Sequence, residues 1–110
     1  MLPDLDPVIH APVRLGLVAV LAAVPDDREP TFGELQQLLA LSPGNLSTHL
    51  RKLEEAGNVT VTKAFRDRVP TTTVRLTPRG RDAYDDYVRA ITHYLDGSVA
   101  QTLLHTEETS

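Results

Sequence analysis

Residues 41–58 read LSPGNLSTHLRKLEEAGN. The stretch predicts a short helix with a marked start and stop. Ser42 suits the N-cap, Pro43 the first helical position, and Gly57 the left-handed residue just past the end. Leu46, Leu50 and Leu53 recur at four and three residues and form one apolar stripe. The other face carries Gly44, Thr48, Arg51 and Lys52, with Asn45 and Ser47 on its flanks. Short polar side chains let a backbone approach duplex DNA closely, and an arginine can read guanine in the major groove. The same pattern also describes a plain amphipathic surface helix, so the rest of the chain has to separate the two.

Working upstream, a short helix from about Glu34 to Ala40 places Leu35, Leu38 and Leu39 on one face. Its cap is either Thr31, which with Glu34 matches a capping box, or Gly33. Thr31 and Phe32 form either a very short strand or the start of this helix. Two short helices joined by a tight turn make a helix-turn-helix. Before them, Pro25–Pro30 (PDDREP) is a polar connection. Asp6-Pro7 looks like a helix start, but Pro12 falls where that helix would need an amide donor. Either the helix kinks there or a turn precedes a helix beginning near Ala11. Val13, Leu15, Leu17, Val18, Val20, Leu21 and Val24 make this helix apolar nearly all round. Such a helix must be covered all round, so one side is expected to face the core and the other a second subunit. Gly16 would allow close helix contact.

Downstream of Gly57 the period changes to two. Val59 and Val61 alternate with Thr60 and Thr62, and Val74 and Leu76 repeat the pattern. Between them Phe65–Thr71 (FRDRVPT) predicts a basic loop carrying Arg66 and Arg68, with Lys63 just before it. A hairpin directly after a helix-turn-helix, with arginines at its tip, reads as a wing rather than an ordinary solvated hairpin. Thr77-Pro78 then starts a long helix. Ala83, Tyr84, Tyr87, Val88, Ile91, Tyr94 and Leu95 line one face of it, and Asp85 and Arg89 stand at pairing distance on the other. Asp96-Gly97 breaks this helix, and Ser98–Leu104 adds a turn or two.

A chain of 110 residues makes one domain with a modest core. The absence of cysteine excludes disulfides, thiolate metal sites and thiol redox sensing. The N-terminal MLPDLDP lacks the basic region of a signal peptide, and the apolar run Leu15–Val24 falls well short of the roughly 20 residues a membrane span needs. A cytoplasmic protein with no membrane partner is expected. The net charge of −4 argues against a polyanion partner until its distribution is considered. Residues 42–81 hold eight basic and three acidic side chains, a surplus of +5, while residues 1–41 and 82–110 carry −4 and −5. A basic middle between acidic ends is the footprint of one polyanion-facing surface on an acidic body.

The four histidines, His10, His49, His93 and His105, lack any HxxxH or HExxH spacing and read as surface residues rather than metal ligands. For His49, on the flank of the helix, a phosphate contact and simple packing both stand. No nucleophile–base pair, Gly-rich phosphate loop or paired-carboxylate arrangement is visible, so neither an enzyme nor a cofactor site is expected.

The order helix, helix, helix, hairpin, helix is that of a winged helix. LSTHLRKLEEAGNV resembles the LSxHLxKLExAGxV signature of winged-helix transcriptional regulators of the MarR/ArsR type. VRLTPRGRDAY is similar to the LTxxGRxAY stretch that closes their wing, and PVRLGLVAVL to the PxRLxILxxL of their first helix. The resemblance covers roughly residues 8–95 and is to the short subgroup with little beyond the DNA-binding domain. It implies a homodimeric DNA-binding regulator, most often a repressor, on an inverted-repeat operator. Carried onto this chain, it assigns base contacts to Asn45, Ser47, Thr48 and Arg51. Phosphate contacts fall to Ser42, Gly44, His49 and Lys52, and wing contacts to Arg66 and Arg68, with Lys63 nearby. The chain departs from the metal-sensing relatives by lacking the cysteines of their recognition helix.

The fold expected is therefore α+β, mostly α. It is one winged helix-turn-helix domain over residues 1–110, with the helix-turn-helix at about 33–57 and the wing at about 58–76. Helices at about 8–24 and 78–95 would form the dimer interface through Val13, Leu17, Val20, Tyr84, Tyr87, Ile91, Tyr94 and Leu95. Tyr84, Tyr87 and Tyr94 either line a pocket for a small-molecule effector or belong to the dimer core. The alternative function is a protein-interaction module whose basic face docks an acidic partner.

Overall fold

The computed structural model describes residues 2–109, with side chains through His105. The elements run α1 (Pro12–Ala23), α2 (Phe32–Leu38), α3 (Pro43–Glu55), β1 (Val59–Arg66), β2 (Val69–Leu76), α4 (Pro78–Leu95) and α5 (Ser98–Thr109). This is a winged helix, with the two strands paired antiparallel and Val59 opposite Leu76. Among the described residues no helix is long and apolar enough to cross a membrane.

The helix boundaries follow the local chemistry. Pro12 does not kink a helix begun at Asp6. Asp6 caps a single turn, its carboxylate accepting the amide of Val8 at 2.9 Å, and α1 then starts afresh with Pro12 in its first turn. Thr31, not Gly33, caps α2, with the reciprocal Glu34 contacts of a capping box. The same Thr31 also bridges Thr73 of the wing, so it serves as helix cap and as a fragment of strand. Ala40 closes α2 in the left-handed region at φ 52°. Ser42 and Thr77 cap α3 and α4 by accepting the amides of Asn45 and Gly80.

Leu46, Leu50 and Leu53 are all buried, as their spacing requires, and meet Leu17, Val18, Leu21, Leu35, Val59 and Val74 in one core. Leu38 does not join them: it is 63 % exposed, and Leu39 is the neighbour that packs against the core. The wing loop is also tighter than its composition implies. The strands continue through Arg66 and Val69, leaving Asp67 and Arg68 as a two-residue turn with φ values of 49° and 68°. Both positive angles are those of a turn whose twist matches the flanking strands.

The join between α3, wing and α4 is a close backbone approach. Gly57 leaves α3 at φ +80°. The Thr77 hydroxyl donates to Gly57 O at 2.6 Å, and the Thr77 amide donates to Asn58 O at 2.9 Å. A Cβ at Gly80 would lie 2.0 Å from that Asn58 oxygen, so only glycine permits α4 to start there.

In α1 the buried side is formed by Leu17, Val18 and Leu21. Leu17 is fully buried in the protomer's own core, and Val13 and Val20 pack against it. Tyr87 is 4 % exposed, its hydroxyl 2.9 Å from His10 Nδ1. A side chain already enclosed by its own chain has almost no area left to bury against a second copy, so Leu17 and Tyr87 serve the protomer rather than an interface. Gly16 faces Leu39, just past α2, at ordinary contact distance. Arg89 pairs with Asp86 rather than Asp85. After Gly97 the chain stays helical to Thr109, longer than the turn or two expected.

Candidate nucleic-acid interface

Opposite its leucine stripe, α3 exposes Ser42, Gly44, Asn45, Ser47, Thr48, Arg51 and Lys52, while His49 is half-buried. The residues expected from sequence thus stand together on one face. Several of them have defined roles. Ser42 Oγ accepts the Asn45 amide at 3.2 Å, which leaves its proton free to donate outward. The Thr48 hydroxyl donates to Gly44 O at 2.9 Å, so toward a partner Thr48 can offer a methyl and an acceptor.

The wing flanks this face. A groove lined by Ser47, Leu50, Arg51 and Glu54 of α3 and by Val61, Lys63 and Thr72 of the hairpin has a cavity volume near 420 Å³. It brings Arg51 and Lys63 to one depression, two residues that twelve positions separate in sequence. Arg66 and Arg68 stand exposed at the hairpin tip.

Ion pairs among the described residues occupy three of the eleven lysines and arginines. Arg28, Arg75 and Arg89 pair with Glu34, Glu29 and Asp86. Among the described residues, Arg51, Lys52, Lys63, Arg66 and Arg68 enter no ion pair. Five unpaired cations gathered over one face create a local positive potential on an acidic protein.

The sequence pattern gave no role to Arg14. It sits in the first turn of α1, where its Nε donates to Val8 O at 2.6 Å and its Nη1 lies 3.2 Å from His49 Nδ1. A lone arginine in an apolar helix was the only signal that could have marked it. The protonation of His49 is disfavoured, first by burial and then by the charges of Arg14 and Lys52. The three tyrosines have separate partners within the protomer. Tyr87 bonds His10, Tyr94 donates to Pro3 O at 2.7 Å, and Tyr84 packs on the core. Among the described residues no group of His, Asp and Glu has the arrangement to hold a metal ion.

A recognition helix with an unpaired basic face, flanked by a basic hairpin, defines a winged-helix DNA-binding protein. The chain belongs to the winged helix DNA-binding domain family, whose profile matches residues 13–95. An uncharacterised protein of Methanocaldococcus jannaschii is 32 % identical over 84 residues, 76 % of this chain and 88 % of that one. A solved transcriptional regulator homologue from Pyrococcus horikoshii superposes with a TM-score of 0.74 at 34 % identity, over 82 % of this chain and 86 % of that one. MepR of Staphylococcus aureus, solved as a complex with DNA, shares the fold at TM-score 0.68 and 15 % identity, over 93 % and 81 % of the two chains. The class is that of winged-helix DNA-binding proteins, and the chain is similar to a transcriptional regulator homologue over most of its length.

Proposed function

We propose that the protein is a sequence-specific repressor that binds an inverted-repeat operator as a homodimer. The observation that carries the DNA half is the set of five unpaired cations arranged over α3 and the wing. In this reading α3 enters the major groove, with Asn45, Ser47, Thr48 and Arg51 at base edges. Ser42, the Gly44 amide, His49 and Lys52 meet phosphates at the helix N-terminus and along its flank. Lys63, Arg66 and Arg68 follow the backbone or adjacent minor groove. A DNA partner implies a cytoplasmic protein.

The dimer half is supported by an apolar surface the protomer leaves open. Leu95 is 78 % exposed, Leu103 61 % and Leu104 51 %, along the end of α4 and on α5. The radius of gyration is 17.8 Å, against about 13 Å for a compact domain of this length. A protomer extended by an apolar helical arm is suited to pairing with a copy of itself. Of the eight interface residues expected from sequence, Ile91, Tyr94 and Leu95 fit this surface best. A repressor occludes promoter access by occupying DNA, which needs no further domain.

In vitro selection of random duplexes at about 0.15 M salt tests the proposal. Recovery of an inverted repeat supports it. Recovery of no consensus from folded protein refutes sequence-specific binding and favours an acidic protein partner for the same face. Arg51→Ala is expected to weaken the selected site by about 1–3 kcal/mol and to relax preference at one base pair.

A further inference from the structure

We infer that Arg14 is a positioning residue for DNA binding: it sets the tautomer and orientation of His49, and so determines which ring nitrogen meets the phosphate backbone. The inference rests on the DNA-binding reading of α3 and adds to it a residue outside the recognition helix.

The geometry is specific. A guanidinium carries donors and no acceptor. With Arg14 Nη1 at 3.2 Å, His49 Nδ1 must accept, which places the ring proton on Nε2. His49 then offers a neutral Nε2–H as its one donor. The guanidinium is itself held, because Arg14 Nε donates to Val8 O at 2.6 Å in the turn before α1. Recognition helix, first helix and N-terminal turn thus converge on one side chain. The cavity beside them is lined by Pro7, Val8, Arg14, Lys52, Glu55 and Ala56.

Protonation would set an N–H against the guanidinium and add a positive charge between Arg14 and Lys52. Burial and these two cations accordingly hold His49 below the ordinary histidine range. A neutral donor oriented in this way contacts phosphate without making affinity depend on pH near neutrality.

Two-bond proton–nitrogen correlation spectra of the imidazoles in the free wild-type protein test this without DNA. The expected result is a single Nε2–H tautomer for His49, protonating below the usual range. A predominant Nδ1–H tautomer overturns the inference. In Arg14→Leu, the tautomers are expected to mix and protonation to move up, and an unchanged spectrum overturns it. Should that variant not fold, the wild-type spectrum still decides.

Binding to random duplex supplies the second readout. The wild-type affinity is expected to stay flat between roughly pH 8 and pH 6. In Arg14→Leu it should rise about fivefold at ~0.15 M salt as His49 gains charge, from a counterion slope of about 0.9 per phosphate. The rise should vanish in Arg14→Leu/His49→Gln, and its persistence there overturns the inference. A wild-type protein that binds no duplex at all refutes the DNA reading instead, and leaves the tautomer result to be judged on the spectra.

Discussion

Adding one methyl group at Gly80 should destabilise the domain more than many core truncations. The new Cβ would stand 2.0 Å from Asn58 O, 2.8 Å from Asn58 C and 2.9 Å from Leu76 Cδ1. A carbon–oxygen contact is comfortable near 3.3–3.6 Å, so α4 must retreat by more than about 1 Å from a backbone carbonyl. That carbonyl accepts the Thr77 amide, and the adjoining Gly57 carbonyl accepts the Thr77 hydroxyl. Overpacking costs about 1–3 kcal/mol, and each hydrogen bond stretched or lost adds about 1 kcal/mol. Against this, alanine is the better helix former by up to ~1 kcal/mol. The net loss should be about 3 kcal/mol, which for a domain of this size lowers the melting temperature by about 12 °C.

Urea denaturation of Gly80→Ala beside Gly44→Ala checks the magnitude and the cause. A methyl at Gly44 would meet nothing within 4 Å, so that variant should match wild type or gain up to about 0.5 kcal/mol. The same methyl would nevertheless stand on the DNA face and is expected to weaken DNA binding. If Gly80→Ala unfolds at or above the wild-type midpoint, the close approach of α4 to Asn58 is not a constraint and the reasoning fails.

Three further outcomes are expected. Arg68→Gly removes a side chain from φ 68° and should stabilise the hairpin by up to about 1 kcal/mol; it should also weaken all DNA sequences alike by about fivefold at ~0.15 M salt, with a salt slope shallower by about 0.9. A gain in stability without loss of affinity would remove the wing tip from the interface. Leu95→Glu and Leu103→Glu should leave protomer stability within about 0.5 kcal/mol but produce monomers in sedimentation experiments; an unaltered sedimentation coefficient would place the dimer contact elsewhere. The Glu34 carboxyl is held below its ordinary range, chiefly by the Thr31 amide. Its stabilising contribution is therefore present above the ordinary glutamate range and lost as pH falls through the lowered value; Glu34→Gln should flatten that acid limb of a stability–pH profile, and an unaltered limb would mean that the capping box contributes nothing.

The candidate site was legible in the sequence to the extent that it is local. Ser42, Gly44, Asn45, Thr48 and Arg51 lie on one helix, and helical period alone opposes them to Leu46, Leu50 and Leu53. The basic tip of the wing was equally visible. Its length was not, because Asp67 and Arg68 lack the glycine that usually marks a two-residue turn, and strand pairing carried them into left-handed angles. Arg14 escaped because its two partners, Val8 and His49, belong to different elements, and only packing brings them together.

Residue order alone specifies the set of elements and the sign of each surface. Caps, proline positions and apolar spacing act over three or four residues, and charge segregation survives any arrangement of the helices. Packing in three dimensions settles which apolar side chains the protomer encloses and which it leaves open. Pattern marks a side chain as apolar without saying what covers it. Leu17 and Tyr87 look the same in sequence as Ile91 and Leu95, yet the first two are enclosed by their own chain, and Leu95 lies open at the end of α4. The same holds for Gly80, whose necessity comes from the Asn58 carbonyl, a backbone group that no side-chain pattern encodes.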